Sequence, residues 1–251
     1  MRGIRHCGLL ALGGIVLAAL LAMIGHLEVN DDLDPWSLTV SDFAVSDRGG
    51  VIDVAMAVLA AATVLLIPAL RRARRSRAAA ELLLALWAGG LLLAALVPTN
   101  EPGLPLDTAA QVHRYASVVA FLALPVGGWL LAGYLPGHTA GRWVRGLALT
   151  SLALAGAMVW SAYPGDRVLI GLAERLLILT EVGLLAVVAA TLARPTVDLN
   201  RVSTHRVGGA PPPSADPPTG PGRAGGRRGS HSSSWSMSWR AASVIDPDSD
   251  G

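Results

Sequence analysis

Six ionisable side chains sit where such groups are expensive, and their types define the chemistry on offer. Glu181 lies midway along the apolar run 168–193, preceded in the same run by Glu174 and Arg175. A charged group at mid-membrane costs about 2.5–3.5 kcal/mol on insertion scales, so it usually faces a bundle interior. Glu174 and Glu181 are seven residues apart and share one helical face with Gly171 and Ile178. Arg175 is adjacent to Glu174 and points off that face, so it is expected to meet a carboxylate from another helix, Asp53 being the nearest in depth. Such a pair either fixes helix register or contacts a ligand. Glu181 has no basic residue at its depth; it is expected as a neutral acid hydrogen-bonded to Thr63 or Ser151, or as a step on a proton path. His113-Arg114 opens another apolar run, and His26 closes the first at the same depth.

These residues allow two chemistries. Asp53, His113, Arg114, Glu174 and Arg175, with Glu181 deeper, would form an outward-facing polar pocket that binds or moves a small solute or lipid. Alternatively, Asp53, His113 and Glu174 would supply the three protein ligands of a metal-dependent intramembrane lipid hydrolase. No H-E-x-x-H, P-loop, Rossmann, nucleophile-elbow or kinase signature accompanies them. The expectation is therefore a pocket without assigned catalytic residues, metal ligands or cofactor, and a binder in preference to an enzyme.

The elements that must position them are membrane helices. Of 251 residues 52% are hydrophobic and 15% charged, whereas a soluble domain carries about 25% charged residues. That excludes an ordinary soluble enzyme, and the single cysteine, Cys7, excludes an internal disulfide or a four-cysteine zinc cluster. Runs of roughly 20 apolar residues span hydrocarbon. Six are present, at about Gly8–Gly25, Val51–Leu70, Leu82–Val97, Tyr115–Leu135, Val144–Ala162 and Val168–Ala193. Backbone left unpaired in lipid is costly, so each must be an α-helix, and the alternating segments of a β-barrel are absent. The first run follows Arg2 and Arg5 as a signal peptide would, but its length and the lack of an A-x-A site favour a retained anchor.

Arginine sets the orientation. All twenty basic residues are Arg, a bias that fits a GC-rich bacterial genome. Arg2, Arg5, Arg71–Arg77, Arg142, Arg145 and Arg194 fall at one set of span ends; Glu28, Asp31, Asp32, Asp34, Asp42, Asp47, Glu101, Asp107 and Asp166 fall at the other. Arginine-rich loops stay cytoplasmic, which puts both termini inside a bacterial plasma membrane. The Arg71–Arg77 loop is then expected against anionic lipid headgroups, not nucleic acid. Trp36, Trp160 and Tyr163 would lie at the outer interface and Trp143 at the inner one. Gly133 and Gly137 form a G-x-x-x-G packing motif at the inner end of the fourth span, and Pro125 is expected to kink that span. Residues 1–194 thus form a six-helix, all-α transmembrane domain. Residues 195–251, with Pro211-Pro212-Pro213 and Ser232-Ser233-Ser234, read as a disordered cytoplasmic tail.

Several short words recur at the span ends: Ser41-Asp42-Phe43, Val97-Pro98-Thr99-Asn100 followed by Glu101-Pro102, His113-Arg114, and Glu174-Arg175. With the six spans, they make residues 8–193 resemble the bacterial membrane protein family called domain of unknown function 998. The resemblance implies an integral membrane protein and supplies no reaction. Similar proteins often carry an acid after Pro-Thr; here Asn100 stands there, which argues against a required metal or proton ligand at that position.

Overall fold

The computed structural model describes residues 2–27, 36–44, 49–97, 99–100, 105, 107–165 and 167–194. The expected tail, 195–251, and most of the acidic first loop lie outside the described residues. All regular structure among the described residues is helical: α1 (Arg2–Leu27), α2 (Val40–Ala44), α3 (Gly49–Arg72), α4 (Ala78–Leu96), α5 (Thr108–Ala132), α6 (His138–Ala162) and α7 (Ile170–Ala193). Six of these are long and apolar enough to cross a membrane; the five-residue α2 is the exception and had no counterpart in the apolar pattern. This is a multi-pass membrane protein.

The spans overrun their apolar cores because polar residues at their ends still have local partners. Helix α5 begins at Thr108, well before the apolar stretch, since Asp107 Oδ1 accepts from the Ala110 amide at 2.8 Å and caps the first turn. Helix α4 begins at Ala78, and Glu81 in its first turn accepts from Arg71 Nε and, at 2.6 Å, from Ser76 Oγ.

The six long helices close into a ring. Each packs on the next long helix in sequence, and α1 packs on α7, giving the circular order α1–α3–α4–α5–α6–α7. Apolar side chains gain little by leaving lipid for one another, so close backbone approach must hold the ring. The buried core is accordingly rich in alanine, with Ala11, Ala18, Ala60, Ala62, Ala69, Ala80, Ala88, Ala120 and Ala189 between helices. Gly90 of α4 lies so near α5 that an added Cβ would stand 2.7 Å from the Ala116 carbonyl oxygen.

Alternating helix directions gather the arginines at one end. There Arg75 Nη1 donates to the Thr191 carbonyl at 3.2 Å, tying the α3–α4 loop to α7, while Arg77 lies over the Tyr134 ring and Arg145 over Trp129. Trp143 is exposed toward this basic end, and Trp36, Trp160 and Tyr163 are exposed toward the other. The expected G-x-x-x-G packing motif is corrected: Gly133 is the C-cap of α5 and Gly137 the N-cap of α6, with φ +82°, so the pair makes the turn between two helices. Gly137 is needed for that left-handed backbone, not for helix contact.

Gly90→Leu should lower the melting temperature in detergent by several degrees, because overpacking a tight contact costs about 1–3 kcal/mol. Gly89→Leu, whose Cβ would meet nothing within 4 Å, should leave it unchanged. Equal shifts for both would contradict the α4–α5 contact.

Candidate functional site

The ring is packed unevenly along its axis. Toward the basic end Leu66, Leu70, Leu131, Val144, Leu185 and Val188 are fully buried. Toward the opposite end there are two cavities. The inner one, about 420 Å³, lies inside the ring between α1, α3, α4, α5 and α7, with α2 across its end. Its wall is mostly Ala, Leu, Ile, Val and Met, and its polar groups are His26, Ser41, His113, Ser117, Glu174, Arg175, Glu181 and the Trp87 indole. The second, about 940 Å³, lies between α5 and α6, backed by α7 and α2. The two share Ser41, His113, Ser117, Phe121 and Glu174 along their common wall.

Glu181 points into the inner cavity and is 2% exposed. Its Oε2 accepts from Trp87 Nε1 at 3.1 Å, and its Oε1 has no hydrogen-bond partner. The expected partners are engaged elsewhere: Thr63 donates to the Leu59 carbonyl, and Ser151 bonds the Leu147 carbonyl and Thr180. Ring order explains the difference. Helices α4 and α7 are not neighbours, so Trp87 and Glu181 meet across the interior.

The expected Asp53–Arg175 pair is corrected. No ion pair joins Asp53 and Arg175, although α3 and α7 do touch. Arg175 Nη1 donates to the Leu38 carbonyl at 2.9 Å and to Gly171 of its own helix at 3.0 Å. Asp53 is half-buried on α3 and lines neither cavity.

Glu174 serves the segment 36–44. Its Oε2 accepts from the Val40 amide at 2.5 Å, and the Gly171 amide donates to the Trp36 carbonyl at 3.0 Å. Adjacent residues Glu174 and Arg175 therefore hold one short stretch, the carboxylate taking an N–H and the guanidinium a C=O. That stretch is shaped by its own sequence. Thr39 and Asp42 form a capping box: Asp42 Oδ2 accepts from the Thr39 amide and hydroxyl at 2.8 and 2.7 Å, and the Asp42 amide donates back to Thr39 Oγ1 at 3.3 Å. The T-x-x-D spacing of residues 39–42 carries this signal in the sequence. Asp42 Oδ2 also lies 3.5 Å from Arg167 Nη2. Arg167 and Leu169 both have φ near +60°, a backbone cost that the surrounding contacts must hold in place.

His113 is buried, with Nδ1 2.9 Å from the Val97 carbonyl, and lines both cavities. Arg114 is exposed and donates to the Tyr163 hydroxyl at 3.3 Å, across the mouth of the second cavity. Five of the six candidate residues thus border the cavities, and Asp53 does not. Among the described residues no three His, Cys, Asp or Glu side chains stand close enough to hold a metal ion, so Asp53, His113 and Glu174 do not assemble the ligand set a hydrolase would need.

A family described as protein of unknown function (DUF998) matches residues 12–191. The chain belongs to the DUF998 family. No curated protein and no solved structure matches it. The words that carry the DUF998 resemblance are far apart in sequence, yet Ser41-Asp42, Thr99, His113-Arg114 and Glu174-Arg175 all line one or both cavities.

Glu174→Ala should speed amide hydrogen exchange across 38–44 by about 5–150-fold, because an orphaned buried N–H costs about 1–3 kcal/mol. Glu174→Gln keeps an acceptor and should stay close to the parent. Unchanged exchange in the alanine variant would contradict this anchoring.

Proposed function

We propose that this DUF998 protein binds a small amphiphile in the hollow half of its helix ring, on the outer side of a bacterial plasma membrane, and performs no reaction on it. The observation that carries this reading is Glu181: a buried carboxyl with one oxygen engaged by Trp87 and the other left open toward a cavity of about 420 Å³. Ligand pockets typically have volumes of about 300–1,000 Å³ and apolar walls with a few placed polar groups. The inner cavity fits that description, with Glu181 at its deep end and His113, Glu174 and Arg175 near α2. A molecule with an apolar body and polar groups at its ends would meet a partner at each.

The route in is from the lipid. Ala19 and Met23 of α1 and Leu179 of α7 line the cavity and are themselves exposed on the ring's outer surface. Orientation comes from charge: the basic end belongs in the cytosol, which turns both cavities outward. Of the Arg71–Arg77 loop, Arg71 is held by Glu81 and Arg75 by the Thr191 carbonyl, leaving exposed Arg72 and Arg74 for anionic headgroups.

Solvent extraction of the purified protein followed by mass spectrometry should recover a small amphiphile at close to one per chain. Ala22→Phe, which fills the cavity from α1, should reduce recovery at least tenfold, and Glu181→Leu should do so while leaving the apolar volume similar. Equal recovery from the parent and Ala22→Phe would overturn the reading.

A further inference from the structure

Helix α6 is buried over only half its length. Ala140, Val144, Ala148 and Ser151 pack into the core, but no residue from Leu152 to Trp160 is buried. This stretch leaves a gap beside α5, although Ser161 beyond it is again buried, while the two helices remain close at the basic end, where Gly141 approaches the Ala132 carbonyl oxygen. The gap is the second cavity. Its sides are Val118 and Leu122 of α5 and Leu152, Gly156 and Val159 of α6, and exposed Val118, Leu122 and Val159 make it continuous with the surrounding lipid.

Its mouth carries two arginines, Arg114 and Arg167, beside the carboxyls of Asp42 and Glu174. Arg114 bridges α5 to Tyr163 and has no carboxylate partner among the described residues. Arg167 reaches the same mouth from the α6–α7 turn, with its side chain 56% exposed. Of the described acids lining this cavity, Asp42 accepts from the Thr39 amide and hydroxyl and also lies 3.5 Å from Arg167 Nη2, and Glu174 accepts from the Val40 amide. Two guanidiniums thus stand over an apolar slot. From Arg114 to Leu122 the slot runs about 12 Å at 1.5 Å per residue, close to the half-thickness of a hydrocarbon core about 30 Å deep. Guanidinium groups suit phosphate oxygens, and hydrocarbon is the natural filling of the slot.

We infer that the groove between α5 and α6 seats one anionic phospholipid of the adjoining leaflet, its phosphate between Arg114 and Arg167 and one acyl chain against Gly156. This seat is separate from the inner cavity, and its existence does not rest on what that cavity binds. Native mass spectrometry of the full chain, with phosphatidylglycerol or phosphatidylcholine added, tests it. The parent should retain one phosphatidylglycerol at collision energies that strip phosphatidylcholine, with at least tenfold higher occupancy. Arg114→Gln/Arg167→Gln should abolish that preference. Gly156→Phe, whose side chain enters open space, should abolish retention of either lipid. Arg72→Gln/Arg74→Gln at the basic end and Ala22→Phe in the inner cavity should behave as the parent. No headgroup preference in the parent, preference surviving the Arg114/Arg167 changes, or normal retention by Gly156→Phe would each overturn the assignment.

Discussion

Hydrocarbon offers no hydrogen bonds, so every polar group within the ring must find its partner in the protein. That constraint explains the hydrogen bond from the Val40 amide to Glu174 and the one from Arg175 to the Leu38 carbonyl. A five-residue helix cannot stabilise itself, because the first turn fixes several dihedrals for a single bond. Helix α2 exists where it does because Thr39 and Asp42 close its first turn and α7 supplies both an acceptor and donors to its backbone. The carboxylate and guanidinium are in turn satisfied by that backbone. Segment 36–44 and the start of α7 stabilise one another across more than 130 positions of sequence.

The same constraint divides the molecule lengthwise. Toward the basic end the helices meet through alanine and leucine, and Arg71, Arg75 and Arg77 are held by an acid, a carbonyl and an aromatic ring. Toward the other end α5 and α6 diverge, and the space within and beside the ring is closed by α2 and bordered by His113 and Glu174. Both cavities belong to the loosely packed half. Glu181 lines the inner one with a carboxyl oxygen that has no hydrogen-bond partner.

Much of this was legible in the sequence, and the omissions have a common cause. Uncharged runs located six helices, and their polar flanks placed His113, Arg114, Glu174 and Arg175 at one depth. Hydropathy reports depth and says nothing of azimuth. Asp53 and Arg175 share a level but form no ion pair, since level does not fix the direction in which each side chain turns. Trp87 shares a level with Glu181 and faces it across the interior, yet a tryptophan in an apolar run reads as packing. The G-x-x-x-G spacing of Gly133 and Gly137 belongs to a turn because Pro136 and a positive φ at Gly137 end the helical geometry there. Helix α2 was missed because its signal is a capping box, which hydropathy ignores.

The account rests on a hollow half that faces outward and a packed half that does not. Cysteine accessibility tests it most directly, since Cys7 is the chain's only thiol and can be replaced by serine. In intact cells of the Cys7→Ser background, Ser41→Cys, which lines both cavities, should react with a membrane-impermeant maleimide, while Ser151→Cys, at 0% exposure in the packed region, should stay inert. Labelling of position 151 as fast as position 41, or labelling of position 41 only after the cells are opened, would contradict it.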